Sequence, residues 1–333
     1  MKQLEHHDRE GMRSMFQKYL KKACWFLLCF LFLLGCSHVP SNTEVGTTKD
    51  SAKGWPRTIE NADGTTTLLE QKPKRIAVLH FGYTEYLLAL GVTPIATTDL
   101  SMPRKFATLK PYQKELAQME DLGSSMSPSI EKLIRLKPDL IIAGSFHQNI
   151  LDQLKKIAPV VIDRRGYQDL GWKETILYYA KITGEEEKAN QYIQETEKII
   201  ETTKKKLARY QNQTFVFLRP QSKGNFGIVG KKGFHYYHEQ GFGLQTPANY
   251  PQEWQLVSLE GLAKLNPDVI FFQDDQKRSQ QAVKQVEKDR VWQQINAVKN
   301  GRVYYLDVSL NTGSPLAIQL AAQTITENLE KSD

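Results

Sequence analysis

The chain has 333 residues, 40% of them hydrophobic and 24% charged, enough for two lobes that each bury a core of their own. Its 44 Lys and Arg against 37 Asp and Glu give a net charge of +7. That suits an anionic small ligand, yet no dense basic block and no nucleic-acid motif is present, which excludes a nucleic-acid partner.

Lys18, Lys21 and Lys22 precede an uncharged run, Ala23 to Leu34, of twelve residues. This is the length of a signal-peptide core and too short to cross a bilayer comfortably. The run ends in Leu33-Leu34-Gly35-Cys36, which resembles a bacterial lipobox. That resemblance implies cleavage before Cys36 and lipid on its thiol; the alternative is a plain membrane anchor with an incidental cysteine. Cleavage removes six basic and three acidic residues and leaves a net charge of +4. All three cysteines (Cys24, Cys29 and Cys36) lie in this segment, so the body holds no disulfide framework and no cysteine metal site. Ser37 to Lys53 is polar and reads as a flexible tether.

The body opens with an expected β-ribbon, Arg57–Glu60 and Thr65–Leu69 around Asp63-Gly64. Short apolar strands then alternate with helices. Strands are expected at Arg75–Leu79, Pro94–Thr97, Asp139–Ala143 and Val160–Ile162, and helices at Tyr83–Leu90, Ile130–Leu136 and Gln148–Ile157. Such alternation predicts mostly parallel sheets with helical faces. Glu185 to Tyr210 has no Gly or Pro and apolar residues at helical spacing, which predicts one helix about 40 Å long. Strands follow at Thr214–Leu218, Phe226–Val229, Val269–Phe272 and Arg302–Leu306, with helices at Leu259–Leu265, near Ala282–Glu287 and at Pro315–Leu329. The fold class is therefore α/β, two lobes joined by one long backbone helix. The expected boundaries are 1–35 for the signal peptide, 36–54 for the tether, 55–182 for the first lobe, 183–210 for the bridge and 211–333 for the second lobe.

A repeat supports two lobes. Ser129 to Ile141 aligns without gaps to Ser258 to Ile270, with seven of thirteen positions identical. In each copy a Ser caps a helix, a Glu sits in the first turn, a Pro ends the helix and an Asp opens a buried strand.

These residues, together with Pro73 to Gly91, Leu256 to Phe272 and Trp292 to Leu306, resemble the iron-siderophore and cobalamin class of ABC-transporter substrate-binding proteins over nearly the whole body. The resemblance implies two Rossmann-like lobes of the class III periplasmic-binding-protein type, with the ligand between them. It also implies a monomer with no catalysis and no cofactor, partnered by an iron-siderophore-type ABC permease and its ATPase. Within the class the chain looks most like binders of ferric citrate and of citrate or hydroxamate siderophores, the iron being held through its chelator. The family's pattern makes Glu131 and Glu260 permease-docking carboxylates; as residues alone they read equally as helix-dipole partners.

Ligand-contact candidates come from strand ends, which face the crevice in open α/β sheets. Arg219 follows the strand Thr214–Leu218, Arg104 lies in a loop of the first lobe, and Arg164 or Arg165 follows Val160–Ile162; guanidinium groups there suit chelate carboxylates. Phe81, Tyr83, Phe146, Tyr167 and Trp172 are expected to form an apolar wall, and Lys231, Lys232 and His235 to reach the cleft. Haem or cobalamin is the alternative ligand, with His147 or Tyr83 as the haem's axial group. A secreted metalloenzyme using His235 and His238, with Glu239 beside them, is the remaining alternative, against the lack of a His-Glu-x-x-His arrangement.

Overall fold

The fold is that of a computed structural model, which describes residues 54–163, 171–222, 224–232, 235–237 and 241–331. The expected lipid-attachment residue Cys36, the tether, Arg164, Arg165, Tyr167, His238 and Glu239 lie outside the described residues.

The first lobe opens with the expected ribbon, β1 (Arg57–Glu60) paired antiparallel with β2 (Thr66–Leu69). Asn61 in its turn accepts from the Ile162 backbone at 2.9 Å, which pins the ribbon to the sheet. That sheet is wholly parallel, in the order β5-β4-β3-β6-β7, with β3 at Ile76–Val78, β4 at Ala96–Thr97, β5 at Glu120–Asp121, β6 at Leu140–Ala143 and β7 at Val160–Ile162. Helix α1 (Thr84–Ala89) crosses from β3 towards β4, and α2 (Ile130–Leu136) precedes β6. The helix expected at Gln148–Ile157 starts instead as a 3-10 turn, Ser145–Ile150, and becomes α-helical only at Leu151–Lys155. The His147 ring folds back to accept from the Gly144 backbone at 2.9 Å, which tightens that first turn.

The second sheet runs β10-β9-β8-β11-β12, with β8 at Phe215–Pro220, β9 at Phe226–Ile228, β10 at Gln255–Val257, β11 at Val269–Gln273 and β12 at Val303–Leu306. Its β8, β11 and β12 are parallel, but β9 and β10 are antiparallel to their neighbours, because β8 returns as β9 through a tight turn too short for a parallel crossover.

The repeated unit keeps its chemistry in both lobes. Ser129 Oγ accepts from Lys132 N at the start of α2, and Ser258 Oγ from Gly261 N at the start of α5 (Leu259–Leu265). Each helix ends on a left-handed residue, Lys137 at φ 48° and Asn266 at φ 45°. The aspartate that follows ties the unit to the first strand of its own sheet. Asp139 accepts from the Lys74 and Arg75 backbone, and Asp268 from the backbone and hydroxyl of Thr214.

Two further helices sit between the sheets in sequence. Helix α3 (Trp172–Thr183), absent from the elements expected above, ends at Gly184, whose φ of 70° suits a residue without a Cβ. Helix α4 (Glu186–Leu207) is the bridge; at 22 residues it is about 33 Å long, shorter than expected because Ala208–Tyr210 tightens into a 3-10 turn. Glu186 and Glu187 in its first turn and Lys204, Lys205 and Lys206 in its last oppose the helix dipole favourably. Its buried stripe serves both lobes: Ala189 packs into the core of the first, Ile200 and Leu207 into that of the second, and Ile193 touches both. A stiff rod sharing one apolar stripe between two cores limits how far the lobes can part.

A second contact joins the lobes beside that rod. Glu85 of α1 is fully buried. Its carboxylate accepts from the Thr108 hydroxyl in the first lobe and, at 2.5 Å each, from Thr312 and Ser314, which lead into the last helix of the chain. Helix α6 spans Gln276–Val286, and α7 spans Pro315–Glu330 and lies along α4, where Gln319 donates to Thr196 at 3.1 Å. Tyr86 OH donates to Gly313 O at 3.3 Å.

Candidate functional site

Segments leaving the carboxyl ends of the two sheets meet each other. Ala107 N, after β4, donates to Asp307 Oδ1, after β12, at 3.2 Å. Within the second lobe, Gln273, the last residue of β11, donates to Asn311 at 3.0 Å and ties the segment after β12 to its sheet. The crevice between the carboxyl edges is where an open α/β sheet presents a ligand.

On the first-lobe side an aromatic patch grows from the ends of β3 and β6. The His80 ring stacks on Phe81 with centroids 4.6 Å apart and meets the edge of Phe146 at 5.9 Å. Gly144 permits this packing, since a Cβ there would lie 2.5 Å from the Phe146 ring and 2.8 Å from the Tyr83 hydroxyl. Phe146 is 42% exposed and faces outwards. Tyr83 is buried in the core and leans on Tyr179, so it backs the patch. Arg104 is exposed on the 3-10 turn Pro103–Lys105, two residues before Phe106, whose ring meets the edge of Phe81. Its guanidinium donates to Leu116 O over a long 3.5 Å.

On the second-lobe side Arg219 pairs with Gly227 across β8 and β9, and Gly227 with Leu256 across β9 and β10. These three residues share one sheet face. The indole of Trp254 lies over Gly227, 2.8 Å from where a Cβ would stand, and the ring remains 53% exposed. Cation, glycine and exposed indole therefore form a flat shelf. Arg219 Nε is buried without a hydrogen-bond partner; its nearest acid oxygen, on Asp274, is 3.8 Å away. Asp274, just past β11, is already taken by Arg278 at 3.1 Å. Neither Trp254, Asp274 nor Arg278 was singled out from the sequence. The strand-end rule that selects Arg219 also selects Asp274; the stacking of Trp254 on Gly227 depends on register between strands almost thirty residues apart.

Lys231 is half-buried, with its backbone bonded to Pro251 O, and Lys232 pairs with Glu253 at 3.2 Å. His235 meets Trp172 edge to face at 6.0 Å. Trp172, the first residue of α3, is buried in the second-lobe core and so joins the lobes. His235 also lines a small, partly open cavity of about 10 Å³, room for a single water at most. An open groove of about 760 Å³ lies elsewhere, between α2 and Leu151–Lys155 and lined by Ile130, Ile134, Lys137 and Ile157. It is outside the carboxyl-edge crevice.

His147 is buried. Its Nδ1 accepts from Gly144 N and its Nε2 donates to Ser125 O at 2.8 Å, so neither nitrogen is free for an iron atom. Desolvation lowers its pKa despite those backbone contacts, which keeps the ring neutral. Among the described residues no group of three or more His, Cys, Asp or Glu side chains is placed to hold a metal ion.

Glu131 and Glu260 are both exposed in the first turns of α2 and α5. The Ser258 hydroxyl, followed by the Glu260 backbone, holds the Glu260 carboxyl below its usual value.

A family model for periplasmic binding proteins matches residues 76–310. The Fe(3+)-citrate-binding protein YfmC of Bacillus subtilis (strain 168) is 29% identical over 302 residues, which cover 89% of this chain and 91% of that protein. The probable siderophore-binding lipoprotein YfiY of the same organism is 28% identical over 308 residues, covering 87% and 91%. Among solved structures, the triscatecholate siderophore-binding protein FeuA from Bacillus subtilis, complexed with Ferri-Bacillibactin, superposes with a TM-score of 0.66 at 26% identity, covering 83% of this chain and 98% of that one.

Proposed function

Because the chain belongs to the periplasmic binding protein family, we propose that it is the extracytoplasmic substrate-binding component of an ABC importer, which takes a ferric chelate between its lobes and delivers it to a permease. The family is one of binding proteins, and the role is capture and release without catalysis. The observation that carries the choice of ligand is the Arg219 shelf, an exposed indole beside a guanidinium whose Nε has no hydrogen-bond partner. Such a group suits the carboxylate oxygens of a citrate-type chelate. Relatives named for ferric citrate and for a siderophore support the same reading. Arg219 and Trp254 contact the chelate from the second lobe, and Phe146 and Arg104 from the first. Lys231 and His235 contribute at the rim, while Tyr83 and Trp172 support the walls from behind; Arg165 remains a further candidate for chelate contact. Glu131 and Glu260 engage the permease, one per lobe, as a two-point electrostatic grip. Cys36 carries the lipid that anchors the protein to the outer face of the membrane, which incorporation of labelled lipid into wild type but not Cys36→Ala would test.

Tryptophan fluorescence of the soluble body, titrated with ferric citrate, a ferric hydroxamate, haem, cobalamin and unchelated ferric salt, tests the ligand class. Saturable quenching by a ferric chelate, weakened roughly ten- to a hundredfold by Arg219→Ala, is expected from the loss of one charge-assisted bond. Tight binding of unchelated iron, or preference for haem or cobalamin, would overturn the reading.

A further inference from the structure

Arg219 and Arg278 both face the buried carboxylate of Asp274, but only Arg278 reaches it within side-chain hydrogen-bond distance; Arg219 stands off at 3.8 Å. Asp274 is 4% exposed. It accepts from the Asp275 backbone at 2.7 Å and from Arg278 Nη1 at 3.1 and 3.4 Å. The other terminal nitrogen of Arg278 donates to Pro220 O at 2.8 Å, the carbonyl next along from Arg219. Asp275 caps the helix that carries Arg278, accepting from its backbone N–H at 3.0 Å. Arg278 is thus fixed at the helix, at the carboxylate and at the strand end. Arg219 Nε, 3.8 Å from Asp274 Oδ2, falls outside hydrogen-bond range although nothing else satisfies it.

We propose that Arg278 is a positioning residue that occupies Asp274 and thereby keeps the Arg219 guanidinium available to an anionic ligand. The proposal rests on the reading of Arg219 as a ligand contact. Without Arg278, Asp274 has lost its main cationic partner and Arg219 is the nearest replacement. Less than 1 Å of travel would close a charge-assisted hydrogen bond of about 2.9 Å. A ligand would then have to break that bond before taking the guanidinium. Arg278 acts on affinity through Asp274 while touching no ligand itself.

The first test needs no ligand. In NMR of the apo protein, the Arg219 Nε–H resonance, assigned by its loss in Arg219→Ala, is expected to move downfield in Arg278→Ala and to stay in place in Arg278→Lys, whose ammonium still reaches Asp274. An unmoved resonance in a folded Arg278→Ala protein overturns the proposal; Arg278→Met gives the same test should the alanine variant fold poorly. The second test is binding of ferric citrate. Arg278→Ala should weaken it roughly tenfold, since breaking one charge-assisted bond now precedes capture. Arg278→Ala combined with Asp274→Asn should restore it to within about threefold of wild type by the same arithmetic. Arg278→Ala combined with Asp275→Asn removes the same charge one residue away, retains the cap, and should not restore it. Persistent weakness in the Asp274→Asn combination would make Arg278 a direct ligand contact and sink the positioning role. If Arg219→Ala binds ferric citrate as tightly as wild type, the reading of Arg219 fails, whatever Arg278 does.

Discussion

Replacing Glu85 should loosen the joint between the lobes more than any surface change. Glu85 is fully buried on α1 and receives the hydroxyls of Thr108, Thr312 and Ser314, so one carboxylate gathers donors from both sides of the molecule. Hydrogen bonds to a charged group contribute about 1.5–3 kcal/mol each, and a buried donor left unpaired costs about 1–3 kcal/mol. Thr312 retains a bond to Ser309 O at 2.9 Å in the absence of Glu85, which limits its loss. With that discount, Glu85→Ala should cost about 3–5 kcal/mol, near the level for breaking a buried polar network. Glu85→Gln, which keeps the volume but turns one acceptor into a donor, should cost about 2 kcal/mol. For a body of this size that corresponds to Tm losses of about 6–20 °C and about 4–8 °C. Thermal unfolding of the purified body, with urea unfolding as a second measure, checks both. A Glu85→Ala variant within about 1 kcal/mol of wild type would show that the three hydroxyls are equally well satisfied without the carboxylate and would refute the clasp.

Three further outcomes follow from the same structure. Glu131→Ala with Glu260→Ala should abolish chelate uptake by cells while leaving chelate affinity of the purified protein unchanged; uptake equal to wild type removes the docking role. Gly227→Ala would place a Cβ 2.8 Å from the Trp254 indole, so the ring must lift, with a shift in tryptophan emission and weaker chelate quenching; an unchanged spectrum contradicts the shelf. His147 has a folded pKa below its ordinary value of 6.5, so the unfolded chain takes up a proton first as pH falls. Stability is therefore expected to hold above about pH 6.5 and to decline through the window below it. His147→Gln should lower the urea midpoint at pH 7.5 but flatten that decline, and parallel profiles for the two proteins would rule the effect out.

What the amino-acid sequence determines by itself is the set of features built from neighbouring residues. The Ser129 and Ser258 caps, the first-turn glutamates, the prolines and the aspartates that open β6 and β11 recur at one spacing, so each helix–strand unit is legible and its duplication announces two lobes. The bridging helix is legible for the same reason, a long stretch without Gly or Pro. Helix α3 was missed because two of its aromatic residues, Trp172 and Tyr179, serve different cores and blur a single apolar stripe. The strand-end rule locates Arg219. It does not reveal that its Nε lacks a partner, because that depends on Arg278, fifty-nine positions away, reaching Asp274 first. Glu85 reads in the sequence as an ordinary first-turn carboxylate, and only the approach of Thr312 and Ser314, more than two hundred residues later, makes it a buried joint. Caps and periodicity cost little chain entropy and are settled locally. Register between strands, competition for a shared carboxylate and burial between lobes are settled only when distant segments close on one another.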